Sequence, residues 1–354
     1  MHTKIKQLLD LAVANKASDL HLTVGLLPKL RINGVLTEVS HFVTENVAEM
    51  ETMIFSLATD EQRKKVEIDR ELDFSIAIDE ARFRVNMYYQ RGVISAALRV
   101  VPVEIPNFAS LNLPQICKSF IESKQGFVLV TGPTGHGKST TVASLLNEIN
   151  MTKNSHIVSI EDPVEYILNP VKSIISQREV PYDSKSFENA LRSVLRQDPN
   201  VVFVGEMRDL ETISSALTIA ETGHLVFSTL HTNSAAQTID RVIDVFPEGS
   251  KGQIRMQLST VLSAVLSQRL IPTIDGGRIP AVEVLIATPA VKNAIREGKT
   301  FMIDTIIQTS ADVGMISLEA SLASLVKSGK ITEEMAISYS LRPSDLQSRL
   351  RTRS

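Results

Sequence analysis

The sequence predicts an α/β chain in which a P-loop domain with a buried parallel sheet follows a smaller α+β domain. Three observations carry that prediction. Residues 132–139 read GPTGHGKS, which fits the phosphate-binding pattern G-x-x-x-x-G-K-[ST]. Around this loop, four short runs that are apolar on both faces (FVLVT, HIVSI, NVVFV and HLVFST) alternate with helical stretches, as expected of a sheet covered on both sides. Ahead of it, alternating strand-like runs are joined by tight-turn signals, as in an antiparallel sheet.

Taken in order, MHTKIKQLLDLAV has Ile5, Leu8, Leu9, Ala12 and Val13 at helical spacing, which predicts an amphipathic helix and not a signal peptide. SDLHLTV and KLRINGVLTEV predict strands, with Asn33-Gly34 as a hairpin turn. Residues 44–68 carry helical patterning. LDFSIAI, ARFRVNMYY and VISAALRVV predict three more strands, the first two joined at Asp79-Glu80. Residues 101–110, with Pro102 and Pro106 and no periodicity, predict a linker between a domain over 1–100 and one over 111–354. In the second domain FENALRSVLRQ and LETISSALTIAET predict helices, the latter capped by Asp209 and ended by Gly223. From about residue 250 the chain is predicted to be mostly helical, up to the basic end RLRTRS.

The chain has 354 residues, 43% hydrophobic and 22% charged, enough to bury real cores. A net charge of −3 does not argue for a nucleic-acid carrier. Cys117 is the only cysteine, which excludes an intramolecular disulfide and a cysteine-rich zinc module and suits a reducing compartment. Its expected role is that of a small buried apolar residue. No run approaches the roughly 20 apolar residues that span a bilayer. The expectation is a soluble protein whose membrane role, if any, runs through partners.

The loop Gly132, Pro133, Thr134, Gly135, His136, Gly137, Lys138, Ser139, Thr140 lies between a strand and a helix. That arrangement aims backbone N–H groups and a helix N-terminus at phosphate oxygens. Lys138 neutralises the outer phosphates and the Ser139 hydroxyl can ligate Mg²⁺. Hydrolysis also needs carboxylates, one in the Mg²⁺ shell and one near the attacking water. IVSIEDPVEY places Glu161 and Asp162 at a strand end, with Glu165 close behind, and VVFVGEMRD places Glu206 after another. ETGHLVFSTLHTNSA sets His224 and His231 around a strand. The expectation is that one or both sit near the γ-phosphate, since no further ligands support zinc. Arg82, Arg84, Arg91 and Arg99 lie on the N-terminal strands, and Arg82 and Arg84 share a face. They are read either as arginine fingers for a neighbouring subunit or as a solvated strand face.

These stretches, in this order, resemble the secretion ATPases of type II secretion and type IV pili, with IEDPVEY as the Asp box, VGEMRD as Walker B and TGHLVFSTLHTNSA as the His box. Within them the chain is most similar to the pilus retraction ATPases, the PilT family. ASDLHL, RINGVL, ARFRVN, ISQREV, LRQDPN and AVEVLIATPAVKNAIREGKT all look like that family. AVKNAIRE at 290–297 departs from the family's AIRNLIRE at Val291, Lys292 and Ala294. The resemblance implies a PAS-like N-terminal domain, a RecA-like ATPase domain, ATP and Mg²⁺ as ligands, and a homohexamer. It also places the ring at the cytoplasmic face of the inner membrane, on the platform of the pilus machine, with no membrane insertion of its own. By position, Lys138 and Ser139 bind phosphate and Mg²⁺, Glu161 polarises the water, Glu206 joins the Mg²⁺ shell and His231 contacts the nucleotide. Arg82, Arg84 and Arg99 are the finger candidates. The alternatives are a pilus-extension or secretion motor, and a regulatory nucleotide-binding module of low turnover.

Overall fold

The computed structural model describes residues 2–32, 34–40, 42, 47–78, 81–101 and 104–351. Contacts divide the chain into two units, Met1–Glu104 and Ile105–Ser354.

The first unit is a six-stranded antiparallel sheet packed on helices. Its strands are β1 (Asp19–Thr23), β2 (Lys29–Ile32), β3 (Val35–Glu38), β4 (Glu71–Ile78), β5 (Ala81–Gln90) and β6 (Val93–Val101), in the order β3-β2-β1-β6-β5-β4. The helix Thr3–Ala14 buries Ile5, Leu8, Leu9 and Ala12, the stripe its spacing predicts. Along β5, Phe83, Val85 and Met87 enter the core while Arg82, Arg84 and Asn86 face away. β2 and β3 pair with Ile32 opposite Val35, and β4 and β5 with Ile78 opposite Ala81. Asn33, Asp79, Glu80 and Pro102, to which the sequence assigned turns and linker, lie outside the described residues. The helical stretch over 44–68 is two helices, Val47–Phe55 and Asp60–Asp69, with residues 43–46 outside the described set. Thr59 starts the second through a capping box with Gln62, a break that hydrophobic spacing alone does not announce.

The second unit is built on a seven-stranded sheet. Its strands are β7 (Gly126–Thr131), β8 (His156–Glu161), β9 (Ile174–Glu179), β10 (Val201–Val204), β11 (Leu225–Leu230), β12 (Leu262–Pro272) and β13 (Arg278–Ile286). The order is β13-β12-β7-β11-β10-β8-β9, with all neighbours parallel except β13 against β12. Alternate residues of β7, β8, β10, β11 and β12 feed two cores. One face packs the helix Lys138–Thr152 through Val142, Leu145 and Ile149. The other packs helices Phe187–Val194, Leu210–Glu221, Ala235–Asp244, Glu248–Val261 and Pro289–Arg296. Phe108 is buried in the first of these cores, so residues after Glu104 already pack with the second unit. Cys117 is fully buried there, and burial pushes its thiol up to about 12, so it packs as an unreactive apolar group.

The helical prediction from residue 250 onward is corrected by β12 and β13. LSAVLSQRLIP and RIPAVEVLI pair along nine residues, and β12 inserts beside β7. Both are buried on two faces, and such a run has no period that separates strand from buried helix. Helices resume at Pro289 and continue to Arg351.

Candidate active site

Parallel pairing decides what converges. β7, β11, β10 and β8 are adjacent in that order and point the same way. Their C-terminal ends therefore form one edge of the sheet, where open α/β sheets bind ligands. β7 runs into the P-loop, β11 into His231, β10 into Gly205 and Glu206, and β8 ends on Glu161.

The P-loop is held in an open curve by positive φ at Gly132 (141°), Gly135 (81°) and Gly137 (81°). Two of these glycines also answer to packing. A Cβ at Gly132 would meet the Gln268 backbone oxygen at 2.2 Å, and one at Gly137 would meet Gln268 Nε2 at 2.8 Å. Gln268, on β12, braces the loop directly. Its Nε2 donates to the His136 carbonyl at 2.8 Å, and Thr141 Oγ1 donates to its Oε1 at 2.8 Å. The Leu270 N–H donates to His136 Nδ1 at 2.9 Å, and burial, with Arg269, Lys138 and Arg278 nearby, lowers the imidazole pKa. His136 is thus a neutral strut of the loop. Sequence reasoning missed Gln268, because nothing local marks a glutamine 130 residues away as the loop's neighbour.

Lys138 opens the helix that follows. Its Nζ donates to the carbonyls of Gly132 (2.7 Å) and Pro133 (3.1 Å) and lies 3.2 Å from His231 Nδ1. Burial lowers its pKa, and the Glu206 charge works the other way. Thr134 Oγ1 also reaches His231 Nδ1, at 3.3 Å. With Nδ1 accepting, Nε2 carries the proton and points to Glu206 Oε1 at 3.1 Å. Arg208 holds the other Glu206 oxygen at 2.8 Å. Burial raises the Glu206 pKa, but the Arg208 hydrogen bond and charge and the His231 hydrogen bond outweigh it and bring it below the ordinary value. Ser139 is half-buried in the first helical turn, and Thr140 Oγ1 bonds Tyr166 Oη at 2.8 Å.

Glu161 is the opposite kind of acid. It is 5% exposed, and burial raises its pKa to about 7 against the hydrogen bonds from Ser159 and Gln177. Two carboxylates at one sheet edge are thus driven apart, Glu206 below the ordinary value and Glu161 above it, the pattern that separates an electrostatic group from a proton-transfer group.

The two histidines part company. His231 follows β11, whereas His224 precedes it, at the far end of the sheet, where its backbone oxygen accepts from Gly126 N–H and its Nδ1 lies 3.0 Å from the Ile219 carbonyl. The expectation that one or both histidines sit near the γ-phosphate is corrected for His224 by strand direction. Asp162 precedes the loop to Tyr166, and Asp209 caps helix Leu210–Glu221 through Thr212 N–H. Among the described residues, no three His, Cys, Asp or Glu side chains are arranged to hold a metal.

In the first unit, Arg84 and Arg99 are cross-strand neighbours, and Arg99 is the partner of Asp19. Arg99 Nε bonds Asp19 Oδ1 at 3.0 Å, Arg31 lies 3.8 Å from the same carboxylate, and Arg84 lies 3.7 Å from Asp73. Arg82 shares the Arg84 face, and Arg91 sits apart in the turn between β5 and β6.

The parallel sheet, the P-loop at its edge and the acidic groups beside it define a P-loop ATPase. Residues 1–337 match the family described as type II/IV secretion system protein, and the chain belongs to that family. It is 46% identical over 333 residues to the type IV pilus retraction ATPase PilT of Pseudomonas aeruginosa, covering 94% of this chain and 96% of that one. It is 47% identical over 311 residues to a twitching motility protein of Neisseria gonorrhoeae, covering 87% and 83%. A crystal structure of the pilus retraction motor PilT with bound ADP superposes with a TM-score of 0.91 at 45% identity, covering 97% and 98%. Among the described residues, no helix is long and apolar enough to cross a membrane.

Proposed function

We propose that this chain is the motor ATPase of type IV pilus retraction, working as a homohexamer on the inner-membrane platform of the pilus machine, at its cytoplasmic face. Similarity to the P. aeruginosa retraction ATPase along 94% of the chain carries this reading.

In this reading ATP binds at the P-loop, with loop N–H groups and Lys138 on the phosphates. Lys138 has three N–H bonds, spent on Gly132, Pro133 and His231. An incoming phosphate takes some of these over and frees His231 Nδ1 from Lys138. Glu161 receives the proton of the attacking water, and a carboxylate with pKa about 7 is matched to that task. The residues fit Mg²⁺. Ser139 offers a hydroxyl beside the loop and Glu206 an ionised carboxylate, and Mg²⁺ at such sites takes its remaining ligands from phosphate and water. Bound there, it would neutralise charge on the β- and γ-oxygens. Arg82, Arg84 or Arg99 of a neighbouring subunit would supply the remaining positive charge.

Loss of the gene tests the function. The expected strain carries pili and does not twitch. A strain that lacks pili would instead point to extension.

A further inference from the structure

Strand β9 carries ISQRE, part of a stretch that the mechanism above leaves without a role. Ser159 and Glu161 are two apart on β8, so their side chains leave the same face. It is the face of the helix Lys138–Thr152, because Ile157 on the same side packs with Val142 and Leu145. Parallel pairing sets Ser159 opposite Gln177 and Glu161 opposite Glu179. Polar groups are thereby forced together on a face otherwise built of apolar ones.

Ser159 Oγ donates to Glu161 Oε1 at 2.5 Å, and Gln177 Nε2 donates to the same oxygen at 3.3 Å. The Gln177 amide does more. Its Nε2 also donates to the Tyr166 carbonyl at 2.8 Å, and its Oε1 accepts the Leu168 N–H at 2.7 Å. Tyr166 in turn bonds Thr140, next to Ser139. One side chain ties Glu161, the segment after it and the P-loop helix.

We infer that Gln177, together with Ser159, is a positioning residue for hydrolysis: the two donors fix the Glu161 carboxylate and favour its ionised, proton-accepting form. The inference rests on Glu161 being the proton acceptor. With both Oε1 lone pairs engaged, the proton from water arrives at Oε2. Other groups around Glu161 do not replace these donors. Glu165 contributes a backbone hydrogen bond but also a like charge. Glu179, opposite on β9, is itself acidic and accepts the Val164 N–H. The neighbour on the β10 side is Gly205.

Burial raises the Glu161 pKa and both donors lower it, with a net value of about 7, so removing either raises it further. A base works when ionised. Its rate is present above its pKa and lost below, and a raised pKa moves the acid limb of the rate profile to higher pH. The test is kcat of the assembled ATPase from about pH 6 to about pH 9 for wild type, Ser159→Ala, Gln177→Glu and Glu161→Gln. Gln177→Glu keeps the acceptor for Leu168 and replaces the donor by a like charge. Both Ser159→Ala and Gln177→Glu are expected to move the limb up by about one pH unit, roughly a tenfold loss below it. Rates should approach wild type at alkaline pH, with KM for ATP little changed. Melting curves identify any variant that is simply unfolded, and Ser159→Ala, which deletes one atom, remains a test if Gln177→Glu fails to fold. A uniform loss at every pH, or an unmoved limb, would overturn the positioning role. Near-wild-type turnover by Glu161→Gln would overturn the proton-acceptor assignment beneath it.

Discussion

The two sheets use the same device, cross-strand adjacency, to opposite ends. In the antiparallel sheet of the first unit, register lines up Arg31, Asp19, Arg99 and Arg84 across four strands on the face away from the core. Asp19 serves two arginines, Arg31 and Arg99, and Arg99 is 68% exposed. Water screens this row, so its ion pairs are weak and can be exchanged. In the parallel sheet of the second unit, the strand ends bring Glu161, Glu206, His231 and Lys138 to one edge, partly out of water. There each charge has a named partner, and the pKa values of the two glutamates move in opposite directions. Burial makes a proton-transfer site, whereas exposure makes a charge that can be lent to another molecule.

The largest expected effect lies at the buried edge. Lys138→Ala removes the charge that faces the phosphates and should lower phosphate release by roughly 10³-fold or more. Turnover near wild type would move the site elsewhere. The two glutamates come next, and they sharpen the contrast between them. Glu161→Gln should cut turnover by about 10²–10⁴ yet bind Mg-ATP almost normally. Glu206→Gln should bind with a steeper dependence on Mg²⁺. Titrations across Mg²⁺ concentration that give the reverse pattern would exchange the two roles. A third change separates chemistry from work. Arg296 is exposed on the helix Pro289–Arg296, while Val291, Ala294 and Ile295 are buried. Arg296→Ala should therefore keep ATPase activity and abolish twitching, and Ile295→Asp should lower the melting temperature and lose both. The smallest effect on stability belongs to the exposed row, where Arg99→Ala should cost no more than about 1 kcal/mol, measured by denaturant unfolding.

The legible part of the site was the part written locally. GPTGHGKS specifies its own turn, and an acidic residue directly after an apolar run, as at Glu161 and Glu206, announces a strand end at a sheet edge. The β7, β8, β10 and β11 strands were visible because each is short, apolar and bounded by helices. The paired histidines were ambiguous in composition, and strand direction separates them. β12 and β13 were hidden because a strand buried on both faces has no alternation. Gln268 and Gln177 were hidden for a different reason. Each acts on a residue of another element, and only the register, Ser159 opposite Gln177 and β12 beside β7, makes them neighbours.

Whether the two sheets work together across a subunit boundary is tested most directly by mixing. Subunits carrying Lys138→Ala and subunits carrying Arg82→Ala, Arg84→Ala and Arg99→Ala should each be nearly inactive alone, since a missing arginine finger costs roughly 10³–10⁵ in rate. Mixed under conditions where light scattering shows rings, they should regain phosphate release, because some intact P-loops then sit beside intact arginines. Rings that form at every mixing ratio with no recovered turnover would contradict the account and leave the arginines as a solvated strand face.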